Sequence, residues 1–200
     1  DYSIAMGASG NTASGYSSIA IGMNNTASDD TGSGYSVEIG HSNTANKKYS
    51  VAIGRENKSQ GIGSIAMGGG INSSGGNEAN SNYSISIGGD NVANGVGSIS
   101  MGKGNRTVGD GSVAMGVKNN IKFFYNTPVN SGRYSVAMGQ ENETEGECSV
   151  AMGMRNISSK HSAFSMGHQN QANGDHSVAM GENNEVSGHS AAAIGMECES

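Results

Sequence analysis

The chain has 200 residues, a formal net charge of −6, 33 glycines, one proline, and no leucine or tryptophan. The missing leucine argues against helical repeats, and the lack of a basic stripe argues against nucleic acid as a partner. No apolar stretch approaches the roughly 18 residues that span a membrane. Because the chain opens within a repeat at Asp1, we expect targeting and anchoring segments to lie elsewhere in a longer protein.

One five-residue motif, Ser-Ile/Val-Ala-Ile/Met-Gly, recurs from residues 3–7 to a last variant at residues 191–195. Fourteen residues is the base interval between copies. Longer intervals indicate insertions, which we place near residues 29–34, 74–81 and 121–130 of a single domain spanning residues 1–200. The glycines that close the thirteen copies are Gly7, Gly22, Gly40, Gly54, Gly68, Gly88, Gly102, Gly116, Gly139, Gly153, Gly167, Gly181 and Gly195.

An asparagine follows three residues after most of these glycines, and a small residue often follows two positions later. Equivalent asparagines in stacked repeats form amide ladders, so the spacing predicts a ladder beside a turn, bonded along the stack. The predicted ladder consists of Asn25, Asn43, Asn57, Asn91, Asn105, Asn119, Asn142, Asn156, Asn170 and Asn184.

The motif alternates in the manner of a β-strand, with Val and Met on one face and Ser, Ala and Gly on the other. Each 14-residue rung has room for two short strands, and stacked rungs predict an all-β parallel solenoid of about 13 rungs. We interpret Val and Met as the core face. The small-residue face is then a flat outer surface that packs against other copies of the chain, since one thin rung buries little by itself.

The motif reads SVAIG at residues 50–54 and SVAMG at residues 112–116 and 177–181, each followed by the spaced asparagine. This pattern resembles the heads of YadA-like trimeric autotransporter adhesins along essentially the whole chain. The resemblance implies a left-handed parallel β-roll, a homotrimer, and display on the outer membrane of a Gram-negative bacterium. Such heads adhere to host matrix proteins, to host cells or to each other. Met fills the second apolar position in eight of the thirteen motifs, where Ile is commoner in the family.

The insertion between Gly116 and Gly139 contains the chain's only proline and two of its three phenylalanines. Exposed aromatic residues on a loop are typical of binding hot spots, although they also fold back to cover the edge of a rung. Both interpretations stay open. The candidate partner-binding residues are Phe123, Phe124, Tyr125 and Pro128.

The histidines and cysteines are the residue types that could form a metal or redox site. His161, His176 and His189 shortly precede successive motifs, which predicts that they stack near one turn; we expect solvated side chains there, not a metal site. Cys148 and Cys198 lie 50 residues, or about 3.5 rungs, apart, which exceeds the reach of a disulfide. Thiols bonded between chains, or free thiols, remain open.

No catalytic constellation is visible in the sequence. The alternating acidic residues Glu141, Glu143, Glu145 and Glu147 are interpreted as a solvated strand face and not as a calcium site. Phosphate-binding and nucleophile motifs are missing as well, so we expect neither an enzyme nor a cofactor. The sequence therefore predicts an adhesin head. The alternatives are a receptor-recognition segment of a phage tail fibre or similar trimeric fibre, and a structural spacer.

Overall fold

The computed structural model of the chain describes residues 2–28, 34–70, 75–122 and 132–200. These residues form strands and turns and include no helix. Their contacts divide the chain into two units, Asp1–Lys103 and Gly104–Ser200, which are described separately.

Unit 1 alternates long strands of four or five residues with short strands of two residues. The long strands are β1 (Ile4–Gly7), β3 (Ile19–Met23), β5 (Val37–His41), β7 (Val51–Arg55), β9 (Ile65–Gly69), β11 (Ile85–Gly89) and β13 (Ile99–Lys103). The short strands are β2 (Thr12–Ala13), β4 (Thr26–Ala27), β6 (Thr44–Ala45), β8 (Lys58–Ser59), β10 (Glu78–Ala79) and β12 (Val92–Ala93).

Unit 2 repeats the same alternation. Its long strands are β15 (Val113–Val117), β17 (Val136–Gln140), β19 (Val150–Met154), β21 (Phe164–His168), β23 (Val178–Glu182) and β25 (Ala192–Met196). Its short strands are β14 (Arg106–Thr107), β16 (Asn120–Ile121), β18 (Glu143–Thr144), β20 (Ile157–Ser158), β22 (Gln171–Ala172) and β24 (Glu185–Val186).

Each unit is a parallel β-solenoid in which a long strand pairs with the long strand of the next turn, and a short strand with the next short strand. The register matches equivalent motif positions: Val51 pairs with Ile65, and Gly54 with Gly68. Together the described residues contain thirteen long and twelve short strands, or about twelve turns. The predicted fold class, an all-β parallel solenoid with one motif per turn, is confirmed.

The interior of each solenoid holds the small residues of the motif. Ala52 of β7 and Ser59 of β8 are fully buried, and the motif serine Ser50 is buried beside them. Val51 and Ile53, by contrast, are only partly buried. The predicted orientation of the motif is therefore wrong: Ala and Ser fill the core, while Val, Ile and Met lie on the outer surface. The reason is that the strands of one turn close on a small interior, where Ala and Ser predominate and larger buried side chains such as Ile121, Val186 and Glu38 are exceptions.

The glycine that closes each motif is dictated by the stacking of turns. Gly54 has a φ of 118°, and a Cβ there would lie 1.8 Å from the carbonyl oxygen of Gly68. Any larger residue would clash with the backbone of the next turn and would also adopt an unfavourable conformation. The invariance of this position within the repeat follows directly from that contact.

Candidate functional site

A column of buried asparagines runs along each unit beside the turn that follows the long strand. The side-chain nitrogen of Asn43 donates to the Asn25 side-chain oxygen (3.0 Å), to the Ile39 carbonyl (3.1 Å) and to the Gly54 carbonyl of the next turn (2.8 Å). The backbone N–H of Asn57, in the next turn, donates to the Asn43 side-chain oxygen at 3.1 Å. One side chain thus bonds backbone groups of its own turn and of the next turn, and the asparagine side chain of the preceding turn.

The ten asparagines predicted for the ladder all lie in these columns. In unit 1 the column also includes Asn11 and Asn77, which the spacing rule did not select. Asn11 stands four residues after Gly7 instead of three. The amide of Cys198 donates to the Asn184 side-chain oxygen (2.9 Å) and so occupies the position that follows the last asparagine of unit 2.

Asn77 also relocates one predicted insertion. The sequence predicts an insertion near residues 74–81, whereas in the structure Asn77 accepts hydrogen bonds in the column and Glu78–Ala79 forms the regular strand β10. The extra residues therefore precede Asn77. Apart from Asn11, which is partly exposed, the asparagines of the columns are buried, and we assign the columns a structural role.

The candidate loop residues Phe123, Phe124, Tyr125 and Pro128 lie outside the described residues. At the edge of that segment, the amine of Lys122 is hydrogen-bonded to Glu143 and lies 3.3 Å from a carboxylate oxygen of Glu145. Burial by itself lowers the pKa of Lys122, but the hydrogen bonds and charges of the two glutamates outweigh it and raise this pKa. Burial, followed by the hydrogen bond with Glu143, raises the pKa of Glu145.

The acidic row pairs with basic side chains of neighbouring turns and does not converge on one point. Glu141 accepts a hydrogen bond from Arg155 (2.9 Å), which lowers the pKa of Glu141. Glu147 lies 4.0 Å from the Nε2 atom of His161. Within the described ranges, no three His, Cys, Asp or Glu side chains are arranged to hold a metal ion.

The outer face of the long strands forms an apolar row in each unit. Equivalent positions align in register, as in the pairs Val136 with Val150 and Met138 with Met152. These side chains are partly buried by their neighbours in the row, and their outer sides are accessible in the single chain. A continuous apolar row of this kind marks an interaction surface.

The turn before the long strand carries two aromatic columns. In unit 1 the rings of Tyr2, Tyr16, Tyr35 and Tyr49 contact one another in sequence. In unit 2 the rings of His161, His176 and His189 do so, with centroid distances of 5.2 and 5.5 Å. The prediction that these histidines stack at one turn agrees with these contacts. The tyrosine column is not among the predictions from the sequence. Its visible signal is a tyrosine one residue before the motif serine in three of these turns and two residues before it at Tyr16.

Cys148 is exposed and Cys198 is half-buried, and both are free thiols. In the described part of the chain, no helix has the length and hydrophobicity needed to span a membrane.

Comparison with protein families gives one match, to the YadA head domain repeat. No curated protein matches the chain. The family matches cover most of the sequence, at residues 13–32, 39–57, 45–70, 79–105, 93–119, 131–156, 158–184 and 172–197. The match coincides with the turns of the solenoid, including the motif and its asparagine. The chain therefore belongs to the YadA head domain family.

Proposed function

We propose that the chain is the head of a trimeric adhesin displayed at the outer membrane of a bacterium. In this role it binds host matrix proteins or host cells and mediates contact between bacteria. Membership of the YadA head family supports adhesion over the phage-fibre and spacer alternatives. The single observation that carries the proposal is the apolar row of Val, Ile and Met along the outer face of the long strands.

That row explains why more than one chain is needed. The interior of each turn is already filled by Ala and Ser, so the larger apolar side chains have no layer of the same chain over them in the described residues. Cyclic symmetry brings identical rows together at equal heights around an axis and removes them from water. The surface that joins the copies is thus the large-residue face, which reverses the arrangement expected from the sequence.

Light scattering on the purified chain tests the assembly. We expect a mass of three chains for the wild type and of one chain, or aggregated material, for Ile53→Asp and Met138→Asp. The matched control is Gln171→Asp, which places the same charge on an exposed side chain of β22 and leaves the trimer intact. A stable wild-type monomer would contradict the proposal.

Adhesion itself is tested with beads that carry the purified trimer, added to immobilised matrix proteins and to host cells. We expect saturable binding that beads with an unrelated trimeric fibre do not show. Removal of residues 123–131 tests the candidate loop and keeps the Lys122 contacts. Lost adhesion by an intact trimer assigns binding to Phe123, Phe124, Tyr125 and Pro128; a spacer would show no adhesion in either form.

A further inference from the structure

Unit 1 carries an exposed tyrosine ridge, formed by Tyr2, Tyr16, Tyr35 and Tyr49. Their exposed fractions are 77%, 38%, 45% and 53%, so each ring remains accessible although it contacts its neighbours. The ridge lies on the turn before the long strand, and Tyr49 stands two residues before Val51, the first residue of the apolar row in its turn.

The rings hold one another in place. Ring centroids are 6.0 Å apart for Tyr2 and Tyr16, 5.9 Å for Tyr16 and Tyr35, and 5.5 Å for Tyr35 and Tyr49. The amine of Lys48 lies 5.0 Å from the centroid of the Tyr49 ring, in a cation–π contact. Tyrosines that are already ordered lose little conformational entropy when a partner binds, which favours affinity.

The fold does not require aromatic residues at this turn. Tyr49 has a φ of 61°, and the equivalent positions Ser17, Cys148 and Ser190 have φ values of 54°, 55° and 56°. In the turn of Ser17 the ridge residue is Tyr16, one residue earlier. Small side chains therefore serve the same backbone, and a bulky residue with positive φ is a conformational cost. Four neighbouring turns that all place a tyrosine at the surface point to a role outside the solenoid.

We propose that the tyrosine ridge binds a single proline-rich peptide segment in the polyproline II conformation. Neighbouring turns of a parallel sheet are about 4.8 Å apart, so every second turn is about 9.6 Å away. A polyproline II helix advances about 3.1 Å per residue and about 9.3 Å per three-residue turn. The spacing of residues i and i+3 in such a peptide therefore matches the spacing of tyrosine rings on every second turn, so both residues can contact a ring.

The chemistry of the ridge suits this partner. Proline-rich segments dock on rows of aromatic side chains, because their apolar rings pack on the aromatic surface with little loss of entropy. The carbonyl groups of polyproline II have no internal hydrogen bonds. Tyrosine hydroxyl groups are donors for those carbonyls. This inference rests on the proposed adhesive function, because it names the chemistry of one partner that an adhesin would bind.

The test is titration of fluorescently labelled decaproline into the whole purified chain, with a Gly-Ser peptide of equal length as the control ligand. Tyr49→Asn removes one ring of the ridge, and Asn tolerates positive φ. Tyr134→Asn is the matched control, because Tyr134 has a φ of 51° at the same turn position but lies outside the ridge. We expect decaproline binding that falls at least tenfold in Tyr49→Asn and less than twofold in Tyr134→Asn.

The ridge assignment is overturned if the wild type does not distinguish decaproline from the Gly-Ser peptide, or if both variants lose binding equally. It is also overturned if light scattering shows that Tyr49→Asn dissociates the trimer, since the ridge is then a contact between chains. Bead adhesion measured alongside separates the two proposals. Adhesion without decaproline binding removes the ridge assignment alone, whereas decaproline binding without adhesion to matrix or cells removes the adhesive function.

Discussion

The turn before the long strand has the same backbone in both units but different side chains. The amide of Tyr83 donates to the Ile62 carbonyl at 2.8 Å, and the amide of His176 donates to the His161 carbonyl at 2.9 Å. In unit 1 this turn presents tyrosines and a lysine, whereas in unit 2 it presents histidines near acidic residues. The repeat thus separates two tasks: buried positions maintain the coil, and the exposed turn sets the chemistry of the surface.

A second difference lies inside the solenoids. Glu38 occupies an interior position of unit 1 that is Ala20 and Ala52 in the neighbouring turns, and it is fully buried. Among the described residues of unit 2, the interior contains no charged side chain. The two units share one backbone plan, but they are expected to respond differently to pH.

The largest expected effect comes from breaking the asparagine column, which both units share. Asn43→Leu in unit 1 and Asn170→Leu in unit 2 each remove the side-chain donor to the carbonyl of the next turn's glycine. Each also removes the side-chain oxygen that accepts from the backbone N–H of the next asparagine. We expect each to lower the free energy of unfolding by about 3–5 kcal/mol, measured by chemical denaturation with circular dichroism. Gln171→Leu, on the exposed side of β22, is the control and should change it by less than about 0.5 kcal/mol. A loss confined to one unit would show that the columns are not equivalent.

The next effect concerns Glu38. Burial raises its pKa from 4.5 to about 9, and the nearby backbone N–H of Ala45 acts in the opposite direction. Among the described residues, neither carboxyl oxygen has a partner in hydrogen-bonding geometry. No titratable side chain faces it from β3 or β7, where the paired residues are Ala20 and Ala52.

The sign of the pH dependence follows from this raised pKa. Below pH 4.5 the carboxyl is protonated in both folded and unfolded chains, so stability is complete. As pH rises from 4.5 towards 9, only the unfolded chain releases the proton, and stability falls by up to about 1.4 kcal/mol per pH unit. Over the 3.5 pH units from 4.5 to 8 this loss amounts to about 5 kcal/mol, and the packing lost on truncation of the side chain offsets part of the gain from its removal. Glu38→Ala should therefore raise the free energy of unfolding at pH 8 by about 3 kcal/mol. Denaturation at pH 4 and pH 8 measures this, and a wild type as stable at pH 8 as at pH 4 would contradict it.

The smallest expected effect tests the turn itself. The two variants Tyr49→His in unit 1 and His176→Tyr in unit 2 exchange the aromatic residue types of this turn. Each should change the free energy of unfolding by less than about 0.5 kcal/mol. Thermal unfolding provides the measurement. A loss above about 2 kcal/mol would mean that the exposed rings support the fold and are not free to serve a partner.

Several features were predictable from the sequence because the same residue pattern recurs from repeat to repeat. The motif of residues 50–54 specifies a strand and its closing glycine, and the spacing to Asn57 specifies the column. Asn77 escaped this rule because inserted residues separate it from Gly68, so only the hydrogen bonds reveal its place. The ring contacts of the ridge were also beyond the sequence, since they depend on which turns stack next to each other.

The sequence by itself determined the 14-residue repeat, the parallel stacking and the division of each motif into a large-residue and a small-residue face. Only the tertiary structure decided which face is inside. Alternation fixes that Val51 and Ile53 share a side, but it contains no information about the depth of the turn. The strands of each turn enclose an interior occupied mostly by Ala and Ser, with few larger side chains such as Ile121 and Val186, and the large apolar residues of the motif are left to the surface.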